Sequence, residues 1–323
     1  MRSETIRKGA AVALLALACA AASAQQKFPT NSVHMYVGTS AGGTTDVIAR
    51  LLAARLTQLV GQAVVVENRT GASGMIAAQD VAKASPDGYT ILMASSQIAT
   101  YQALYTTTFD PAKDLEPLGY IATSPYVMVV HPSLPVKTFP ELMAYAKAHP
   151  GKISYAGSTP GTAQHLGWEL IKRKMDVQME YVPYKGSGAL IPDLLAGRLQ
   201  AGIDNVAILT PYVKSGQLRG IAVTSAQRSA LLPDLPTVAS GGMPDFQAIG
   251  WFGIYTTAKT PPAVLATLRD AVRAAMATPD IRDKLTGLGA EPQNGGVDDE
   301  RAVLSRETTV WTKVIKDSNI TLQ

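Results

Sequence analysis

Residues 37–47, VGTSAGGTTDV, join two segments of different periodicity. Before them SVHMYV alternates like a strand. After them TTDVIARLLAARLTQLV sets Val47, Ile48, Leu51, Leu52, Leu56 and Leu59 on one broad helical stripe. Strand, small-residue turn, helix is the unit, and it recurs. AVVVEN leads through RTGASG into MIAAQDVAKA, and YTILMAS leads into SQIATYQAL. Farther on come KISYAGSTPGT with AQHLGWELIKRK, MEYVPYKGSGALIPDLLAG, LQAGIDNVAILTPYVKSG and LRGIAVTS. Repetition at this spacing predicts βαβ units and parallel sheets.

Two segments break the pattern. PLGYIATSPYVMVVHPSLPV, with Pro125, Pro132 and Pro135, is an apolar extended run that predicts a strand passing between lobes. GGMPDFQAIGWFGIYTTAKTPP is a second such run. Two crossings give a two-lobed α/β protein with a cleft, each lobe a mainly parallel sheet flanked by helices. Residues 25–124 and 249–323 are assigned to the first lobe and 125–248 to the second. The C-terminal helices, such as DDERAVLSRETTVWTKVIKD, are expected to pack on the first lobe.

Residues 1–24 are set aside as a secretory signal peptide. Arg2, Arg7 and Lys8 precede the short apolar run AVALLALACAAA, and Ala22-Ser23-Ala24 supplies small residues for cleavage. Export to the periplasm is the implied destination. The single cysteine, Cys19, leaves with that segment, so the mature chain has no thiol or disulfide chemistry. Ala16, three residues before Cys19, does not fit a lipoprotein signal. The net charge of +4 falls to about +2 without the leader, too little for a nucleic-acid footprint. A composition of 46% hydrophobic and 17% charged residues is that of a globular chain with a large core.

Gly38-Thr39-Ser40-Ala41-Gly42 also fits G-x-S-x-G, the turn that carries the nucleophile of many serine esterases. That class needs strands and an oxyanion turn upstream, then an acid and a histidine downstream. Here one strand precedes Ser40, and none of His34, His131, His149 and His165 stands late in the chain behind an acid-bearing strand. A secreted esterase is the rival reading, and Ser40 is assigned no catalysis. No Gly-Lys-Ser/Thr, G-x-G-x-x-G, H-E-x-x-H or Asp-rich calcium loop is present, so no cofactor or metal is expected.

What the turns do offer is a helix N-terminus with unsatisfied N–H groups, open glycine backbone and hydroxyl donors. SAGGTT (40–45) supplies this in the first lobe and STPGT (158–162) in the second. Facing each other, they could hold a carboxylate from both sides; otherwise they are tight βα turns capped by Thr44 or Thr162. Asp46, in the first helical turn, counts against an anion there.

The chain also resembles the Bug, or TctC-like, solute-binding proteins, the receptors of tripartite tricarboxylate transporters. AGGTTDVIARLLAARL, GQAVVVENRTGASG, ASPDGYTIL, HLGWEL, VPYKGSGALIPDLLAG, VKSGQLRGIAVTS, RSALLPDLPTV and ETTVWTKVIKDSNI carry the resemblance in order along the mature chain. It implies a Venus-flytrap binding protein in the periplasm, expected as a monomer. Such a protein hands a small carboxylate to membrane permease subunits, or to a sensor. The family's ligands are dicarboxylates, tricarboxylates, acidic amino acids and aromatic acids. The resemblance points to Ser40, Ala41, Gly42, Gly43 and Thr44 in the first lobe. In the second it points to Ser158, Thr159, Gly161, Thr162 and His165, with Ser95, Ser96 and Asp204 reading the ligand's far end. His165 could instead cap or pack its helix, and Asp204 could serve a turn with Asn205.

Two departures stand out. Family members usually carry an aromatic two residues before Ala/Pro-Gly-Gly, often after a proline; here Thr39 and Gly38 occupy those places. A roomier pocket is expected, with Thr39 exposed to a ligand bulkier than aspartate or succinate, such as an aromatic acid or a dicarboxylate. Tyr181 stands where His-Val-Pro-Tyr-Lys-Gly is commoner.

Overall fold

The computed structural model describes residues 28–157, 159–184, 187–294 and 296–321. The expected signal peptide lies outside the described residues. The strands are β1 (Val33–Val37), β2 (Val64–Asn68), β3 (Thr90–Ser95), β4 (Leu115–Ser124), β5 (Tyr126–Val130) and β6 (Ser154–Ala156). They continue as β7 (Glu180–Tyr181), β8 (Ala201–Asn205), β9 (Arg219–Val223), β10 (Gly250–Thr257) and β11 (Glu291–Pro292). One sheet has the order β11-β4-β10-β3-β1-β2, the other β7-β6-β8-β5-β9. Two separate sheets, each covered by helices, make the two lobes.

Parallel pairing holds in the βα units, where β1 pairs with β2 and β3, and β6 with β7 and β8. The crossing strands pair antiparallel. β10 runs against β3 and β4, and β5 against β8 and β9. The reason is direction. β1, β3 and β4 run toward the other lobe, whereas β10 arrives from it; β5 likewise leaves the boundary at which β8 ends. Each sheet is therefore mixed. The C-terminal ends of the parallel strands, and the turns after them, meet at the cleft.

The Thr44–Val60 helix buries Ile48, Ala49, Leu52, Ala53 and Leu56. Its inner face is centred on the alanines, because it packs in one core with Leu268, Val272 and Met276 of the Pro262–Met276 helix. Leu59 falls outside that face at 37% exposure. The Val297–Asp317 helix buries Val303, Leu304, Trp311, Val314 and Ile315 against the other main core. It does not stay within the first lobe. Asp317 pairs at 3.0 Å with Arg173, on the Ala163–Met175 helix of the second.

Candidate functional site

In the first lobe, Gly42 sits at φ +81°, and its N–H donates to Oδ2 of Asp46 at 2.8 Å. Asn68 donates to Asp46 Oδ1 at 2.9 Å, and Arg50 to Oδ2 at 3.0 Å. Burial works to raise this carboxyl, but the hydrogen bonds from Arg50, Gly42 and Asn68 outweigh it and hold Asp46 below the usual range. Asp46 thus ties the turn, and its charge is offset by the ion pair with Arg50. Gly38 has its own reason to lack a side chain. A Cβ there would lie 2.3 Å from Gly74 Cα, in the turn between β2 and the Met75–Lys83 helix. Thr39 turns inward, its carbonyl accepting from Asn68 at 2.9 Å and its hydroxyl buried without a partner.

In the second lobe, the Thr162 hydroxyl donates to the carbonyls of Thr159 (2.7 Å) and Gly157 (3.2 Å). It is thereby turned away from the helix it precedes. Gly161, at φ +83°, donates its N–H to His165 Nδ1 at 3.1 Å. That bond makes Nδ1 the acceptor, so the proton of neutral His165 is on Nε2, 3.8 Å from Glu169. Burial depresses His165 to about 4, outweighing Glu169 beside it, and the ring is neutral at physiological pH. It packs on Tyr181 with ring centroids 4.1 Å apart. Ser158 lies outside the described residues.

Between the lobes is a cavity of about 190 Å³. Two long helices begin at its wall, Thr44–Val60 after Gly43 and Ala163–Met175 after Thr162, and neither has a side-chain cap. Some other helices also lack a side-chain cap, among them Met75–Lys83, Pro262–Met276 and Pro279–Gly287, whereas others have one. Asn205 accepts from Ala207 N at 2.8 Å, and Thr138 from Glu141 N at 3.3 Å. A helix N-terminus carries roughly half a positive charge, and here two are left with free donors. Among the described residues no lysine or arginine lines the cavity. Its polarity comes from hydroxyls, amides and Asp204, which is 1% exposed and accepts from Asn205 N at 2.7 Å. Tyr126 forms part of the wall, its hydroxyl pushed far up by burial and by the Asp204 charge, so it stays protonated. Gly250 makes room for it, since a Cβ would sit 2.5 Å from the Tyr126 oxygen.

Of the positions singled out from sequence, Thr44, Ser95, Ser96, Thr159, Thr162 and Asp204 line this cavity. Thr39, Ser40, Ala41, Gly42, Gly43 and Gly161 shape the two turns without lining it, and His165 braces the second turn. The extra room expected beside Thr39 is therefore not in this cavity, because Thr39 faces into its own turn. Sequence reasoning missed Gln97, Ser124, Tyr126, Gln164, Asn205, Trp251 and Phe252. Gln97, Gln164 and Asn205 directly follow or adjoin positions already chosen. The others belong to, or end, the crossing strands, whose passage through the boundary between lobes was the available signal. Ser40 has no histidine. His34 bonds Glu67, His131 bonds Ser133, His149 bonds the Tyr145 carbonyl and His165 the Gly161 N–H.

Two βα lobes joined by crossing strands, with uncapped helix termini meeting in the cleft, define a solute-binding protein of the Venus-flytrap type. A family model described as the tripartite tricarboxylate transporter family receptor (TctC) matches residues 48–320, and the chain belongs to that family. The chain is 33% identical over 299 residues to protein BugT of Bordetella pertussis, covering 92% of each chain. Among solved structures it is similar to R. palustris Rpa4515 with adipate, at 38% identity and TM-score 0.78, covering 92% of this chain and all of that one. It is also similar to MatC from Rhodopseudomonas palustris with bound malate, at 28% identity and TM-score 0.75, covering 89% and 100%. The family is one of receptors and not of enzymes. Among the described residues, no helix is long and apolar enough to cross a membrane.

Proposed function

We propose that this chain captures a small carboxylate between its lobes in the periplasm and delivers it to the permease of a tripartite transporter. One observation carries the reading: two helices of 17 and 13 residues point uncapped N-termini into a single cavity. A carboxylate there accepts from the first-turn N–H groups of both helices at once, so it binds well only when the lobes are closed. Because no lysine or arginine among the described residues lines the site, the grip proposed here comes from donors and helix dipoles. Thr44, Ser95, Ser96, Thr159 and Thr162 add hydroxyls, and Asp204 accepts from a donor on the ligand. The adipate and malate of the two structural relatives fit this chemistry. A role without catalysis is supported by the receptor family and by the histidines, each of which bonds a group other than Ser40.

Thermal unfolding against a panel of carboxylic acids tests it. A ligand at 100 times its dissociation constant adds about 2.7 kcal/mol to the folded state, and one acid should give that upward shift. A panel without a shift, together with hydrolysis of an ester lost in Ser40→Ala, would favour the esterase.

A further inference from the structure

A second cavity, of about 780 Å³, opens beyond the Thr159–Pro160 turn. Thr159 lines both cavities. Close beside it, a Cβ on Gly161 would come within 2.6 Å of Leu104 from the other lobe, so the two lobes touch there. The two cavities thus form adjoining chambers that share Thr159, beside a point where the lobes approach each other. The first, at about 190 Å³, is smaller than the roughly 300–1,000 Å³ usual for sites that enclose a whole drug-sized ligand. It has room for a short acid or for one end of a longer one.

The second chamber has walls from both lobes. Ser73 and Tyr105 come from one, and His165, Glu169 and Tyr181 from the other. Ser73 is held at φ +54° while Tyr101 donates to its carbonyl (3.2 Å) and Tyr105 to its hydroxyl oxygen (2.9 Å). A non-glycine residue in that conformation is unfavourable and persists only where its surroundings hold it. Because Ser73 Oγ accepts from Tyr105, its own proton remains to be donated. Across the chamber, His165 keeps Nδ1 on Gly161 and has its proton on Nε2. The Glu169 carboxylate is engaged by the Tyr155 hydroxyl and by Lys172 at 2.9 Å. Among the described residues no lysine or arginine lines this chamber. Its surface therefore offers neutral donors, two tyrosine rings and one carboxylate whose cation is already taken. A guest carboxylate would face Glu169 with no lysine or arginine among the described lining residues to pair with.

We propose that the second chamber takes the far end of the ligand, and that this end is uncharged and oxygenated or aromatic. The bound molecule is then a monocarboxylate with a hydroxyl-, carbonyl- or aryl-bearing tail, in preference to a dicarboxylate. This rests on the carboxylate site proposed above, which holds the charged end.

Calorimetry with four probes tests it: butanoate, 6-hydroxyhexanoate, 4-hydroxyphenylpropanoate and hexanedioate. At least one tailed monocarboxylate should bind tenfold or more tighter than butanoate, and tighter than hexanedioate. Ile320→Trp, which fills the chamber, and Tyr105→Phe, which removes a hydroxyl from its wall, should each shrink that gain at least threefold. If Ile320→Trp lowers the unfolding temperature too far to measure, Tyr105→Phe decides. Equal binding of butanoate and the tailed acids overturns the second chamber, as does hexanedioate binding tightest, or a gain that survives in the measurable variants. Failure of all four acids removes the carboxylate site itself, and the second chamber with it.

Discussion

The indole N–H of Trp251 donates to Oε2 of Glu307 at 2.7 Å, across the boundary between crossing strand β10 and the C-terminal helix. Trp251 also lines the first cavity, and Glu307 is only 4% exposed. Burial pushes this carboxyl to about 7, although Trp251, Arg306 and Trp311 work to lower it. An unfolded glutamate titrates near 4.5. Between those values the folded chain keeps a proton that the unfolded chain has released. The contribution is complete below pH 4.5, declines as pH rises toward 7, and totals about 3 kcal/mol. Unfolding free energy measured from pH 5 to 8 should fall more steeply in the wild type than in Glu307→Gln, which keeps an acceptor for Trp251. A constant difference between the two across that range would contradict this account.

Thr44 is exposed, is the first residue of its helix and lines the cavity. Thr44→Asp places a negative charge where the ligand's carboxylate is proposed to sit. An acid near a helix N-terminus stabilises the fold by about 0.3–1 kcal/mol, so the unfolding temperature should hold or rise. Carboxylate affinity should fall at least tenfold, or by about 1.4 kcal/mol. Stability and binding moving in opposite directions is the result to look for by calorimetry and thermal melts. Binding at wild-type strength would displace the ligand from this terminus.

Gly161→Ala tests the contact between lobes. The new Cβ would meet Leu104 and would sit at a φ of +83°, at a backbone cost of about 1–2 kcal/mol. The expected outcome is a modest loss of stability and a larger loss of affinity, with an increased radius of gyration in X-ray scattering because closure is impeded. Leu104→Ala added to it should restore closure but not the backbone cost. A double variant as open as the single one would mean that Leu104 is not the obstacle.

Thr39→Val removes a buried hydroxyl that has no partner, in a side chain of nearly the same shape. Leaving such a group unsatisfied costs about 1–3 kcal/mol, so the valine variant should be at least as stable as the parent and bind with unchanged affinity. A drop in affinity without a drop in unfolding temperature would put Thr39 back in contact with the ligand.

The βα units were legible because strand and helix periods alternate visibly, and the turn at 40–45 was placed by the stretch between them. The crossing strands were also visible, through prolines and unbroken apolar runs. Their antiparallel pairing was not, because periodicity says which residues are buried and nothing about direction. At the site, small-residue turns were found by composition, whereas Trp251 and Tyr126 look like ordinary core residues until the lobes are set face to face. Thr39 misled for the opposite reason. Its backbone carbonyl is held by a hydrogen bond from Asn68, twenty-nine positions away, and its hydroxyl is buried in the turn. Gly38 likewise answers to Gly74, a neighbour only after folding.

β10 lies between β4 and β3 in the first sheet, yet the whole second sheet precedes it in the chain. During synthesis, β3 and β4 have no partner along those edges until residue 257 has been made. The second lobe, uninterrupted from β5 to β9, meets no such delay. The order of emergence thus sets an order of assembly, in which the intervening lobe can close its sheet first and the flanking halves join afterwards around β10. A lesion in β10 should therefore leave one lobe formed and the other in two unjoined pieces.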